Sequence, residues 1–164
     1  MDIGESLVGS YLRHERQCHT VAFNQFLRGK QGEIDVIGIS GEGVNQHVWL
    51  AEVALHLDSL NYGGYTQTVH KVATKVATAR EYADNTYSGR PSTVEFWAPQ
   101  VPSGLGVLLA ELDVELVINE EFTRRVNLLA ARAASSTKQF GDDAFRFLQV
   151  LTHLRGDRPT FHVP

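Results

Sequence analysis

Apolar residues recur along the chain in two periods, one helical and one alternating, and the switches between them mark out the elements. Ile3, Leu7, Val8, Tyr11 and Leu12 fall at helical spacing, and the polar run Arg13-His14-Glu15-Arg16 suits a helix C-terminus, so residues 2–16 are expected to form an amphipathic helix. VAFNQFLR, residues 21–28, reads as a strand that turns through Gly29-Lys30-Gln31. Two further strands, 33–39 and 48–55, are rich in β-branched and aliphatic residues and joined by a polar, glycine-bearing loop. After the loop 58–65, the stripe Val69, Val72, Ala73, Val76, Ala77 and Ala83 predicts a helix over 66–85. TVEFWA, residues 93–98, is a strand stopped by Pro99 and Pro102; 107–112 reads either as a strand or as a short helix, and 114–118 as a last short strand.

The remainder is helical in pattern. Asn119 is placed to cap a helix with Glu120 and Glu121 in its first turn and Phe122, Val126, Leu129, Ala130 and Ala133 inward. Asp142 and Asp143 open a second helix, with Phe145, Leu148, Leu151 and Leu154 inward. Arg124, Arg125, Arg132 and Arg146 are expected outside. A helix, three strands, a helix and further strands describe an α/β fold: a central mixed sheet of four or five strands, helix 2–16 on one side and helix 66–85 packed nearby. One domain spans 1–164, with a core of about 1–119 and a helical extension of about 120–156 whose role the sequence does not assign.

Composition narrows the class. The 164 residues are 43% hydrophobic and 21% charged, ordinary values for a globular chain, and no apolar run approaches the length of a membrane span. The first five residues carry acids and no basic stretch, unlike a signal peptide. A single cysteine, Cys18, permits no internal disulfide and fits a reducing cytoplasm. With His14 and His19 nearby but no second ligand pair, it does not make a zinc pattern. Fifteen Lys and Arg stand against 19 acids, a net charge of −4, without the basic surplus usual in a freestanding DNA-binding domain. No G-x-S-x-G elbow or Cys/His pairing suggests an ordinary hydrolase of small substrates, and Gly41-Glu42-Gly43 lacks the third glycine and following helix of a dinucleotide site.

The departures from pattern lie in the hairpin. Side chains alternate along a strand, so Asp35 shares a face with Glu33, Ile37 and Ile39, and Glu52 shares one with Leu50, Ala54 and His56. Folding the hairpin about its middle, between Gly43 and Val44, sets Asp35 directly across from Glu52. Like charges so placed repel, and among Ile, Val, Leu and Trp they require a cation or a shared proton. A hard divalent ion such as Mg²⁺ meets that requirement. The competing reading is a wet sheet edge with both acids facing solvent.

Gly32-Glu33-Ile34-Asp35-Val36-Ile37 followed by Trp49-Leu50-Ala51-Glu52-Val53 resembles the core of the PD-(D/E)xK, restriction-endonuclease-like nuclease superfamily. It is most similar to the GEIDxI…(F/L)xEVK version found in small bacterial putative endonucleases and Holliday junction resolvases. The resemblance implies a restriction-endonuclease-like fold, a nuclease acting on DNA with Mg²⁺ or Mn²⁺, Asp35 and Glu52 as metal ligands, and the backbone carbonyl of Val53 as a further one. A first-helix glutamate recurs in such nucleases and here falls on Glu5, in Gly4-Glu5-Ser6 ahead of Tyr11-Leu12. Glu5 also has the simpler reading of an acid at a helix N-terminus. Dimers are common among them, which suggests a homodimer. The lysine that assists catalysis belongs two residues after the glutamate, and there this chain has Ala54.

Related nucleases supply that charge from a neighbouring helix, and helix 66–85 offers a second stripe, Gln67, Lys71 and Lys75, spaced for one face. Lys75 is favoured, since Val72 and Val76 beside it let its stem run over apolar surface. Lys71 is the second candidate, and His56, on the Ala54 face, is a third, as base or metal ligand. Tyr62 and Tyr65, in a loop over the sheet, are placed to stack on bases or ribose rings, packing on the sheet being the alternative use. Arg28 is a candidate phosphate contact, against a default of solvated surface charge. Two functions remain open: a metal-dependent nuclease that hydrolyses phosphodiesters by metal-activated water, or a degenerate nuclease-like fold kept as a nucleic-acid or protein binding module. Ala54 and the acidic balance motivate the second.

Overall fold

The computed structural model describes residues 2–27 and 32–156. It is an α/β fold whose five-stranded mixed sheet is flanked by helices on both faces. The order along the chain is α1 (Ile3–His14), β1 (Thr20–Phe26), β2 (Glu33–Ser40), a single 3₁₀ turn at Gly43–Asn45, β3 (His47–Val53), α2 (Tyr65–Thr86), β4 (Ser92–Ala98), α3 (Ser103–Leu109), β5 (Glu115–Ile118), α4 (Asn119–Ala134) and α5 (Asp143–Thr152). The strands lie side by side in sequence order: β1, β2 and β3 form an antiparallel meander, and β4 and β5 continue it in parallel. The ambiguous stretch 107–112 resolves into the end of α3 and the turn after it.

Each face of the sheet has its own core. On one, Ile37, Leu50, Val94 and Phe96 meet Val72, Val76 and Ala79 of α2 and Leu105 and Leu109 of α3. On the other, Val36, Ala51, Trp97 and Val117 meet Val8, Tyr11 and Leu12 of α1 and Phe122 of α4. A smaller cluster of Leu129, Ala133 and Phe145 joins α4 and α5, with Leu7 of α1 packed against it. The helix pair 120–156 is therefore part of the α1 layer. α1 approaches the sheet closely through its small residues: a Cβ on Gly9 would lie 2.4 Å from Phe23 Cζ. No helix among the described residues is long and apolar enough to cross a membrane.

Several expectations on the helices need correction. Ile3 is mostly exposed, whereas Val8, Tyr11 and Leu12 are buried as expected, and the small residues Gly4, Ser6, Gly9 and Ser10 complete the buried side of α1. Asn119 does not cap α4: it adopts φ 51°, and its carboxamide clasps Val101, accepting from the backbone N–H at 2.8 Å and donating to the carbonyl at 2.9 Å. Arg125 is not outside. It is only 3% exposed and lies in the α4–sheet interface, where Glu95 requires it. In α5 Phe145 is buried and Leu148 packs beside it as expected, but Ala144 and Gln149 are buried too, Phe147 and Val150 are exposed, and Leu154, past the end of the helix, is exposed as well. Gln149 is satisfied there because its Nε2 donates to the carbonyls of Ser136 and Lys138. Asp142 does cap α5, accepting from the Phe145 N–H at 3.1 Å.

Candidate functional site

The hairpin pairs in the expected register. Val36 lies opposite Ala51 and Ile37 opposite Leu50, so Asp35 and Glu52 are the next residues on their two strands. The backbone ladder stops there, and the Asp35 side chain takes over: its Oδ2 accepts the Val53 N–H at 2.7 Å. On the other side of β2 the ladder is also interrupted, because Asn24, facing Asp35, adopts φ 48°. Ile34 accordingly joins the α2-side core together with Ile37, against the simple alternation that would separate them. Both carboxylates are buried, Asp35 at 7% exposure and Glu52 at 1%. The wet-edge alternative does not describe them.

α2 crosses this corner and presents Lys75 to it. The Lys75 ammonium donates to Glu52 Oε2 at 2.5 Å and to Asp35 Oδ2 at 3.3 Å. Val72 and Val76, its neighbours on α2, are both buried, and the Lys75 side chain keeps 35% exposure. Ala54, where the resemblance places a lysine, is buried in the core beneath α2. Burial pushes the Glu52 carboxyl up to about 8; the Lys75 ammonium pulls the other way, and the Asp35 charge adds to the rise. Burial also works against the ammonium of Lys75, but Glu52 and Asp35 outweigh it and hold that group up at about 12. The cation therefore stays charged while Glu52 keeps a proton well above the usual carboxylate range.

A second layer surrounds the lysine. Lys71, one turn before it on α2, stands 3.8 Å over the Tyr62 ring, a cation–π contact. The Tyr62 hydroxyl lies 3.3 Å from His56 Nε2. Burial raises the Tyr62 hydroxyl pKa, Lys75 opposes the rise, and Asp35 and Glu52 add to it. The loop that carries Tyr62 is pinned: its N–H donates to Thr68 Oγ1, and Asn61 Oδ1 accepts from the N–H groups of Gly63 and Gly64. Those two glycines take φ 95° and 109°, which side-chain-bearing residues rarely adopt. One face of the Tyr62 ring is thus covered by Lys71. Tyr65 stands apart, its ring lying over Gly104 of α3, where a Cβ would come within 3.1 Å of Cε2.

Glu5 belongs to a capping box. Its Oε2 accepts the Asp2 N–H at 2.9 Å, Asp2 Oδ1 accepts the Glu5 N–H at 2.8 Å, and Asn24 Nδ2 donates to Glu5 Oε1 at 3.1 Å. It does not join Asp35 and Glu52 in a set of three, since no group of three or more His, Cys, Asp or Glu placed to hold a metal occurs among the described residues. Arg28 lies outside the described residues.

The donor set can be tested against a metal. Glu52 Oε1 is buried and lacks a hydrogen-bond partner among the described residues, a costly state for a carboxylate oxygen unless a cation or water meets it. Mg²⁺ is commonly held by one or two carboxylates and keeps several waters. Asp35 and Glu52 fit such an ion.

The feature that sequence reasoning missed is a second buried carboxylate on the opposite face. Glu95 of β4, fully buried, accepts from Arg125 at 2.9 Å, Arg16 at 3.0 Å and Trp97 Nε1 at 2.9 Å. Arg125 also bonds Glu115 and Glu121 and lies over the rings of Tyr11 and Trp97. The lone acid inside TVEFWA was the available signal. No protein-family model, curated protein or solved structure matches this chain.

Proposed function

We propose that the protein is a nuclease of restriction-endonuclease-like fold that hydrolyses phosphodiester bonds of DNA, with Mg²⁺ or Mn²⁺ held by Asp35, Glu52 and the Val53 carbonyl. The observation that carries this reading is the Lys75 ammonium set on the two carboxylates from the helix that follows the hairpin. A buried acid pair with a cation at its mouth is costly to build, and such perturbed clusters concentrate at functional sites. The hairpin at the heart of a mixed sheet supports the fold part of the reading.

When bound, a divalent cation acidifies a water and offsets charge on the phosphoryl group. The chain's own residues do the rest. The Val53 N–H fixes the rotamer of Asp35, and Lys75 supplies a mobile positive charge beside the carboxylates, where it can orient water or stabilise a developing oxyanion. Lys71, steadied on Tyr62, and His56 form the next cationic or proton-carrying layer outward. In cleavage assays on linear and branched DNA with Mg²⁺ or Mn²⁺, Asp35→Asn is expected to abolish turnover. Lys75→Ala is expected to lower it by about 10²- to 10⁴-fold, the usual worth of a positioned proton-handling group. Full activity in Lys75→Ala, with loss in Lys71→Ala or His56→Ala, moves the catalytic charge to that residue.

One observation favours a second reading, a degenerate nuclease-like module that binds nucleic acid or protein. Lys75 already forms an ion pair with both acids, and Ala54 is packed into the core, so a cation of the chain itself stands where a metal would. No cleavage of any DNA or RNA with either metal supports that module.

A further inference from the structure

We propose that Lys75 is an internal counter-ion that holds the cation position between Asp35 and Glu52 and is displaced when a divalent metal binds. Metal binding at this site is then an exchange of one cation for another. The inference rests on the metal reading above and adds to it how the site is regulated.

The ammonium bridges the same two carboxylates a metal would use, at 2.5 Å from Glu52 Oε2 and 3.3 Å from Asp35 Oδ2. A dication on those oxygens and an ammonium among them would stand within a few ångströms in a poorly solvated corner, where like charges repel strongly. One must yield, and Lys75 can. Its side chain keeps a third of its surface exposed, and its long flexible stem lets the head swing towards solvent.

The carboxylates, by contrast, stay put. Asp35 is held by the Val53 N–H, and Glu52 is enclosed in the sheet. The two oxygens of Glu52 are unequal: Oε2 receives Lys75, whereas Oε1 has no hydrogen-bond partner among the described residues. Lysine thus satisfies the pair incompletely, which is what an exchangeable placeholder requires. A tethered cation on this corner keeps the metal-free protein folded and weakens metal binding by competition. When it leaves, it stays within reach of whatever the metal binds.

The test compares Mn²⁺ affinity, by calorimetry or electron paramagnetic resonance, in wild type and Lys75→Met, which keeps most of the stem and loses the charge. Exchange predicts tighter Mn²⁺ binding in Lys75→Met, by about tenfold or more, together with a lower metal-free melting temperature that Mn²⁺ restores. Wild-type binding with equal or weaker affinity in Lys75→Met overturns the exchange and leaves the metal reading standing. Absence of Mn²⁺ binding in both proteins overturns both. Should Lys75→Met fail to fold, wild type alone decides: acylation of the Lys75 amine, followed by mass spectrometry, should rise several-fold on adding Mg²⁺ as the head group leaves its carboxylates. Labelling that Mg²⁺ leaves unchanged or reduces overturns the proposal.

Discussion

At the scale of single residues, Glu52 sets the behaviour of the site. Burial pushes its carboxyl up from the ordinary 4.5 to about 8; Lys75 opposes the rise, and the Asp35 charge adds to it. Between those values the folded state binds more protons than the unfolded one, so stability falls as pH rises. The contribution is fully present below 4.5 and lost by about 8. Urea midpoints of the metal-free protein across that window are expected to decline, and Glu52→Gln should flatten the decline. An equal slope in Glu52→Gln would show that the proton resides elsewhere. Asp35, Glu52 and Lys75 were all legible in the sequence, the first two as acids among β-branched residues and the third as a lysine flanked by valines. Arg125 was not. An arginine on a helix reads as surface, and only the fold shows that Glu95, from a strand far along the chain, needs its charge. The backbone of Asn24, with φ 48° opposite Asp35, was equally invisible to periodicity.

At the scale of elements, the strands followed from their composition and turns, the β2–β3 register from folding the hairpin about its middle, and the long helix α2 from its stripe. The C-terminal helices were right in place, and α4 buries Phe122, Leu129 and Ala133 as expected; the facing differs at Arg125 and Gln149, which turn inward, and at Leu154, which is exposed. In α5, Gln149 points inward because two backbone carbonyls await its amide, and Leu154, just past the helix, is exposed. Apolar spacing alone cannot report such partners. What orients α5 is Asp142, which caps its first turn, accepts from Ser10 of α1, and lies 3.6 Å from both Arg13 and His14. Asp142→Ala should cost about 1–2 kcal/mol, the upper range for loss of a cap. Amide exchange should quicken in α5 and stay nearly unchanged in the sheet. Uniform quickening throughout would mean that α5 unfolds only with the whole molecule.

At the scale of the whole molecule, adjacent strands β3 and β4 each bury a glutamate, on opposite faces of the sheet. Glu95 is locked by two arginines and a tryptophan, and its partners are themselves packed among Tyr11, Trp49 and Trp97. Arg125→Met would leave Glu95 with one arginine in a dry interface, and should destabilise the protein by about 3–5 kcal/mol in urea unfolding. A loss under about 1 kcal/mol would mean that Arg16 alone suffices. Glu52, on the other face, receives Lys75 on Oε2, and its Oε1 has no hydrogen-bond partner among the described residues. On the proposed reading, this asymmetry separates a structural acid from one available to a metal.

Calorimetric titration of Mn²⁺ into wild type and Asp35→Asn tests that distinction most directly. Asp35→Asn should stay folded, since an asparagine oxygen can still accept the Val53 N–H. Wild type is predicted to give the heat of a single site, and Asp35→Asn none. Equal heats in the two proteins, or no heat in wild type, would contradict a metal site at Asp35 and Glu52.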